Sequence, residues 1–157
     1  MLRVLIIGYG NPLRGDDGFG WHAAQQLSSR LNSPDVRLIA CHQLTPELAE
    51  DLSRADRVVF IDAARDLPPG EMRCEAVLPS TAEHAVRPIS YSHHLSPSTL
   101  LDVSRELYGS WPKALLISVG GEEFSDRECL SATVSKALDE VITVVQNFIS
   151  SGGFNVP

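Results

Sequence analysis

Short apolar runs alternate along the chain with helical stripes of apolar residues. The runs are rich in Val, Ile and Leu, and they predict strands at 4–7, 36–40, 58–61, 72–78 and 114–119. The first stripe has an apolar residue at every fourth position and predicts a helix through Phe19, Ala23, Leu27 and Leu31. Strands that alternate with helices predict a three-layer α/β/α fold with a mainly parallel, twisted five-stranded sheet. The strand at 72–78 is a candidate for an antiparallel position at the sheet edge.

Local start signals place the later helices. Thr45-Pro46-Glu47 combines a hydroxyl cap, a first-turn proline and an acid, and predicts a helix to about Leu52. Ser96-Pro97 predicts the start of the next helix. Ser125 and Glu128 form a capping box, which predicts that the long final helix begins there and ends at Gly152-Gly153. Residues 79–95 show no periodicity and are expected to form a long loop.

Composition narrows the class of protein. With 157 residues, 43% of them hydrophobic, the chain is expected to form one domain spanning 1–157. A net charge of −7 argues against a nucleic-acid partner or an anionic membrane surface, and no apolar stretch is long enough to cross a bilayer. Three widely spaced cysteines favour a reducing compartment, so we expect a cytoplasmic protein. A monomer is the default expectation.

The loop after the first strand contains Gly8, Gly10 and Asn11-Pro12 and resembles a dinucleotide-binding loop only weakly. Leu13 stands where the third glycine would be, and Asp16 with Asp17 would repel a pyrophosphate at the helix start. A nucleotide-binding module therefore remains the weaker interpretation. A better one is that the glycines form a tight turn that presents the two carboxylates.

A set of candidate metal ligands lies at predicted strand ends. Asp62 follows the buried strand 58–61, and a strand order of 2-1-3 would bring Asp17 into the same crevice. His93 and His94 end the long loop and could reach the same edge of the sheet. Two carboxylates and an imidazole suit a borderline divalent ion such as nickel or zinc. Taken singly, each side chain is equally compatible with a turn, a cap or an exposed position.

Three segments resemble the nickel–iron hydrogenase maturation proteases. These are the long motif from Gly8 to Gly20, the segment Val59-Phe60-Ile61-Asp62-Ala63 and the segment Ser92-His93-His94-Leu95. The resemblance extends from residue 3 to about residue 150. It implies an endopeptidase that removes a short C-terminal peptide from the hydrogenase large-subunit precursor after nickel insertion.

The resemblance also implies a site. By position, Asp17, Asp62 and His93 are the metal ligands and catalytic residues, and His94 replaces His93 if the register shifts by one. The first acid is often Glu in the family, and Asp17 is one methylene shorter. The nickel is expected to be carried by the substrate, so that the resting enzyme is metal-free.

Two points stay open at the level of the sequence. Either Asp16 or Asp17 could be a general base rather than a ligand. A non-catalytic nickel-binding accessory protein is an alternative to the protease.

Overall fold

Strands and helices alternate through the parts of the chain that the structure, a computed structural model, describes: residues 2–80 and 95–152. The elements are β1 (Leu2–Tyr9), α1 (Phe19–Arg30), β2 (Val36–Cys41), α2 (Leu48–Ser53), β3 (Ala55–Ala64), β4 (Met72–Val77), α3 (Pro97–Tyr108), β5 (Lys113–Gly120) and α4 (Ala132–Ser151). A single 3₁₀ turn, Gly15–Gly18, leads into α1.

The strands form a five-stranded sheet in the order β2-β1-β3-β5-β4. The pairs β1–β2, β1–β3 and β3–β5 are parallel, whereas β4 pairs with β5 in antiparallel fashion at the edge. The sequence-based prediction of a mainly parallel sheet with one antiparallel edge strand is confirmed. Because β1 lies beside β3, the loop after β1 and the end of β3 meet at one edge of the sheet.

Two hydrophobic clusters, one on each face of the sheet, complete the three layers. One cluster joins the sheet to α1 and α4, and includes Phe19 and Val141. The other joins it to α2 and α3, and includes Leu52 and Leu100. Residues at alternate positions of β1 and β3 contribute to opposite clusters, so both strands are buried on both faces, as in other parallel sheets. The predicted stripe of α1 packs into the first cluster.

Two helices begin later than their local signals predict. The first, α2, starts at Leu48, because residues 45–47 form a turn in which the Leu48 amide donates to the Thr45 carbonyl. The second, α4, starts at Ala132 with Ser131 as its N-cap, so the capping box at Ser125 and Glu128 is a wrong prediction.

The start of α3 is confirmed. Ser96 caps the helix by accepting a hydrogen bond from the Thr99 amide, and Pro97 occupies its first turn. None of the helices in the described ranges is long and apolar enough to cross a membrane.

Candidate active site

Asp62 lies inside β3, two residues before the strand ends, and not after it as the sequence suggested. The strand continues to Ala64, and Asp62 stands opposite Ser118 of β5. Side chains alternate along a strand, so Asp62 shares a face with Phe60 of the cluster beneath α2 and α3. The side chain is half-buried, and its Oδ1 accepts a hydrogen bond from the Ala63 amide at 2.8 Å.

A row of polar side chains crosses the sheet at this level. The registers place Cys41 opposite Tyr9 on one side and Arg73 opposite Ser118 on the other. Gly8 stands opposite Ile61, and the next residues, Tyr9 and Asp62, therefore lie side by side. We call these five residues the polar row: Cys41, Tyr9, Asp62, Ser118 and Arg73. The row marks the point at which the apolar interior gives way to polar groups at the carboxyl end of the sheet.

Burial and a neighbouring charge make Asp62 an unusual carboxylate. Loss of solvation raises the pKa of Asp62 from its ordinary value of 3.8 to about 7, and the nearby Asp17 charge adds to the rise. Hydrogen bonds from Tyr9 and the Ala63 amide act in the opposite direction but do not cancel it. Burial and the proximity of Asp62 also raise the pKa of the Tyr9 hydroxyl well above its usual range. Asp62 is therefore a group that exchanges a proton near neutral pH.

Asp17 reaches this edge because the loop after β1 folds back on itself. Gly10 has a φ of +141°, and a Cβ built on it would lie 1.8 Å from the Asp17 carbonyl oxygen. Only glycine allows the two backbone segments to come so close. The Asn11 amide then donates to Asp17 Oδ2 at 3.0 Å, which fixes the half-buried carboxylate beside the end of β1.

Asp16, the adjacent acid, has a different role. Its side chain is fully buried, and its two oxygens accept four hydrogen bonds. The donors are the amides of Glu122, Glu123 and Ser131 and the hydroxyl of Ser131, at 2.8–2.9 Å. Burial alone would raise the pKa of Asp16, but these hydrogen bonds lower it below its ordinary value.

Asp16 thus joins the loop after β1 to residues 121–131, which we call the β5–α4 loop. Backbone hydrogen bonds extend the contact, from the Asp16 amide to the Glu123 carbonyl and from the Gly15 amide to the Arg127 carbonyl, both at 2.8 Å. These bonds hold residues 122–131 in a loop, which explains why α4 begins at Ala132. The Asp16 carboxylate thus has its acceptor positions filled by the protein, whereas the roles of Asp16 and Asp17 in the reaction stay predictions.

Known proteins are similar to this chain in sequence and in fold. A protein of Methanocaldococcus jannaschii assigned as a hydrogenase maturation protease is 30% identical over 154 residues, which covers 90% of this chain and 93% of that relative. The hydrogenase 2 maturation protease of Escherichia coli is 25% identical and aligns with 97% of this chain and 93% of its own. The chain belongs to the hydrogenase maturation protease family. No protein-family model matches it.

The fold of the protease is also that of a solved structure, the hydrogenase maturating endopeptidase HybD from E. coli. The two superpose with a TM-score of 0.76 at 23% identity, covering 97% of this chain and 94% of HybD. The fold, the peptidase activity and the role in hydrogenase maturation that the sequence resemblance implied are thus confirmed.

The site residues of the protease stay predictions. Asp17 and Asp62 lie close enough together that one raises the pKa of the other, whereas His93 and His94 lie outside the described residues. Within residues 2–80 and 95–152, no group of three or more His, Cys, Asp or Glu side chains could hold a metal ion. The described part of the protease therefore supplies two of the three proposed ligands.

Sequence reasoning did not single out Tyr9, which lies beside Asp62 in the sheet. The signal was present, because a strand order of 2-1-3 places the last residue of β1 beside the end of β3. Alternation along β1 then assigns Tyr9 to the face that carries Asp62.

Proposed function

We propose that the protease removes the C-terminal peptide of a nickel–iron hydrogenase large-subunit precursor, and that it recognises the nickel that this client carries. Asp17, Asp62 and His93 would bind that nickel. The observation that carries the proposal is the half-buried Asp62, which has a pKa of about 7 and lies within electrostatic range of Asp17.

Electrostatics supports a cation at this position. Two carboxylates that approach each other without a positive partner destabilise the ionised pair, and a divalent ion would remove that penalty. Carboxylate and imidazole groups are suitable ligands for nickel. Since Asp62 has a pKa of about 7 and is partly protonated at neutral pH in the metal-free protein, binding of the client's nickel would release that proton.

The resemblance to the maturation proteases supports the inclusion of His93, which lies outside the described residues. The described chain resumes just before α3, which begins at Pro97. His93 precedes the first helical residue by four positions, and its imidazole would complete a three-ligand set with positions open to substrate.

In this proposal the carboxylates of the chain have different roles. Asp16 would not act as the general base, because four hydrogen bonds already occupy its oxygens. Asp17 and Asp62 would position the scissile bond by docking the client's metal, and a metal so held can polarise a carbonyl or acidify a water.

The test compares nickel-loaded and nickel-free precursor as substrates. Trimming of the loaded form alone is expected, and equal cleavage of both would contradict nickel recognition. Asp17→Asn and Asp62→Asn should each abolish trimming, while Asp66→Asn, an exposed acid just beyond β3, should not. Retained cleavage in both site variants would refute the site.

A second comparison identifies the histidine. His93→Ala is expected to abolish trimming and His94→Ala to leave it intact, and the reverse result would shift the ligand register by one residue.

If no variant or substrate gives cleavage but the protein binds nickel tightly, the accessory-protein alternative would replace the protease. Submicromolar binding of NAD or ATP in calorimetry would instead favour the nucleotide module.

We also propose that the protease acts as a cytoplasmic monomer. Its three cysteines, Cys41, Cys74 and Cys129, are all free thiols, which fits a reducing compartment. Sedimentation of the purified protein at micromolar concentration would test the monomer directly.

A further inference from the structure

Tyr9 is the residue of the polar row that contacts Asp62 from the neighbouring strand. It ends β1, one residue beyond the Gly8–Ile61 pair, and its half-buried ring packs against the cluster beneath α2 and α3. Its hydroxyl lies beside the Asp62 carboxylate, close enough that each group shifts the pKa of the other. The phenol is therefore placed by a central strand and by packing, and not by a mobile surface loop.

We propose that Tyr9 is a positioning residue, whose hydroxyl orients the Asp62 carboxylate to receive the metal of the client. The inference rests on the proposed function, because it assigns Tyr9 a task only if Asp62 is a ligand. It goes beyond that function by adding Tyr9, which lies on a different strand from Asp62, to the residues of the proposed site.

The hydrogen bonds to Asp62 show how orientation would arise. The Ala63 amide donates to Oδ1 at 2.8 Å, and the Tyr9 hydroxyl, beside it on the neighbouring strand, is placed to donate to the same carboxylate. An ionised carboxylate has about four acceptor positions, so two stay available to an incoming ion. A second donor would restrict rotation of the carboxylate about its terminal bond. Asp62 would therefore present one defined edge to the metal.

Neutrality of the phenol matters for this task. A lysine or arginine in the same place would form an ion pair with Asp62 and compete with the metal for its charge. A hydroxyl donor fixes the carboxylate while leaving its negative charge for the cation. Groups that hydrogen-bond to metal ligands typically contribute about 10–100-fold to metal affinity or activity.

The test uses Tyr9→Phe, which removes one oxygen and keeps the ring that packs in the cluster. Tyr108→Phe is the matched control, since Tyr108 is 48% exposed at the end of α3. For Tyr9→Phe, kcat/KM on nickel-loaded precursor should fall about 10–100-fold. Its melting temperature should stay within about 2 °C of wild type. The control should match wild type in both measurements.

A spectroscopic measurement separates orientation from simple stability. Co²⁺ added to the purified protein reports its ligand geometry through its visible absorption bands. Tyr9→Phe should weaken Co²⁺ binding by about 10-fold and alter those bands, while Tyr108→Phe should change neither. A folded Tyr9→Phe variant with wild-type kinetics, or with an unchanged Co²⁺ spectrum and affinity, would overturn the proposal.

Asp62→Asn, assayed in parallel, distinguishes the two levels of the argument. If Asp62→Asn still cleaves the precursor, the proposed site itself is wrong. If it abolishes cleavage while Tyr9→Phe retains wild-type kinetics, only the role of Tyr9 is refuted. A loss in both variants, with a normal melting temperature for Tyr9→Phe, supports both.

Discussion

Asp16 and Asp62 lie near the same edge of the sheet, but the protein shifts their pKa values in opposite directions. Asp16 is fully buried and accepts four hydrogen bonds, and its pKa is lowered. Asp62 is half-buried, receives fewer hydrogen bonds and lies near another acid, and loss of solvation raises its pKa to about 7. Burial alone therefore does not fix the pKa of a carboxylate. The balance between desolvation and hydrogen bonding does, because it decides whether the charge stabilises the fold or destabilises it.

The strongest test of this contrast is Asp16→Ala, which leaves three amides and a hydroxyl without their acceptor. We expect the free energy of unfolding at pH 7 to fall by about 3–5 kcal/mol, as measured by urea denaturation. Asp126→Ala, an exposed acid of the same β5–α4 loop, is the control and should change little. A loss below about 1 kcal/mol for Asp16→Ala would show that the junction does not stabilise the fold.

Acid titration sharpens the prediction for Asp16. Because its pKa is lower in the folded state than in the unfolded state, its contribution is present above the ordinary pKa and disappears as the pH falls. The difference between wild type and Asp16→Ala should accordingly shrink on acidification through the carboxylate range. A difference that is independent of pH would mean that packing, and not the charge, accounts for the loss.

Asp62→Asn should change the free energy of unfolding in the opposite direction, because it removes a carboxylate that destabilises the folded state. Well below pH 3.8 Asp62 is protonated in both states, so its full contribution is present there. Between 3.8 and about 7 the unfolded chain ionises and the folded one does not, and stability is lost as the pH rises through the folded pKa. At pH 8, Asp62→Asn should therefore be more stable than metal-free wild type by about 2–4 kcal/mol.

Urea denaturation at pH 3 and pH 8 checks this prediction. The gain should vanish near pH 3, where Asp62 is a neutral carboxylic acid in both states and resembles the neutral carboxamide of Asn. Equal stability of the two proteins at pH 8 would show that Asp62 is ionised without penalty, and the contrast with Asp16 would then lose its basis.

Ser131→Ala is expected to have the smallest effect. It removes the N-cap of α4 and one hydroxyl donor to Asp16, at a cost of about 1–2 kcal/mol. Ser96→Ala removes the equivalent cap of α3, which does not touch Asp16, and should cost about 1 kcal/mol. The excess for Ser131, from chemical denaturation, measures the hydrogen bond to Asp16. Equal losses would assign the whole effect to capping.

The sequence predicted those parts of the fold that depend on local or periodic patterns. Apolar runs located all five strands, and the apolar periodicity of α1 and the cap of α3 were correct. The start of α4 was wrong because the capping box at Ser125 competes with hydrogen bonds to Asp16, which lies more than 100 positions earlier in the chain. Such distant partners leave no signal in a local window.

For the candidate site too, the sequence predicted what depends on local motifs and not what depends on distant contacts. The motif pointed to Asp17 and Asp62, and the strand order explained why they could meet. Asp16 and Asp17 could not be told apart by pattern, since adjacent acids of one type differ only in the donors that surround them. The approach of Tyr9 to Asp62 depends on sheet register, which apolar patterns alone do not fix.

The close packing at Gly10 limits which positions of the enzyme can be varied. The Asp17 carbonyl already occupies the place of any side chain at that position, so the glycine-rich turn is filled by the polypeptide itself. A library that randomises this turn to retarget the enzyme would return mostly misfolded clones. Variation for a new client is better directed to the exposed positions 125–129 of the β5–α4 loop, whose backbone is anchored through Asp16.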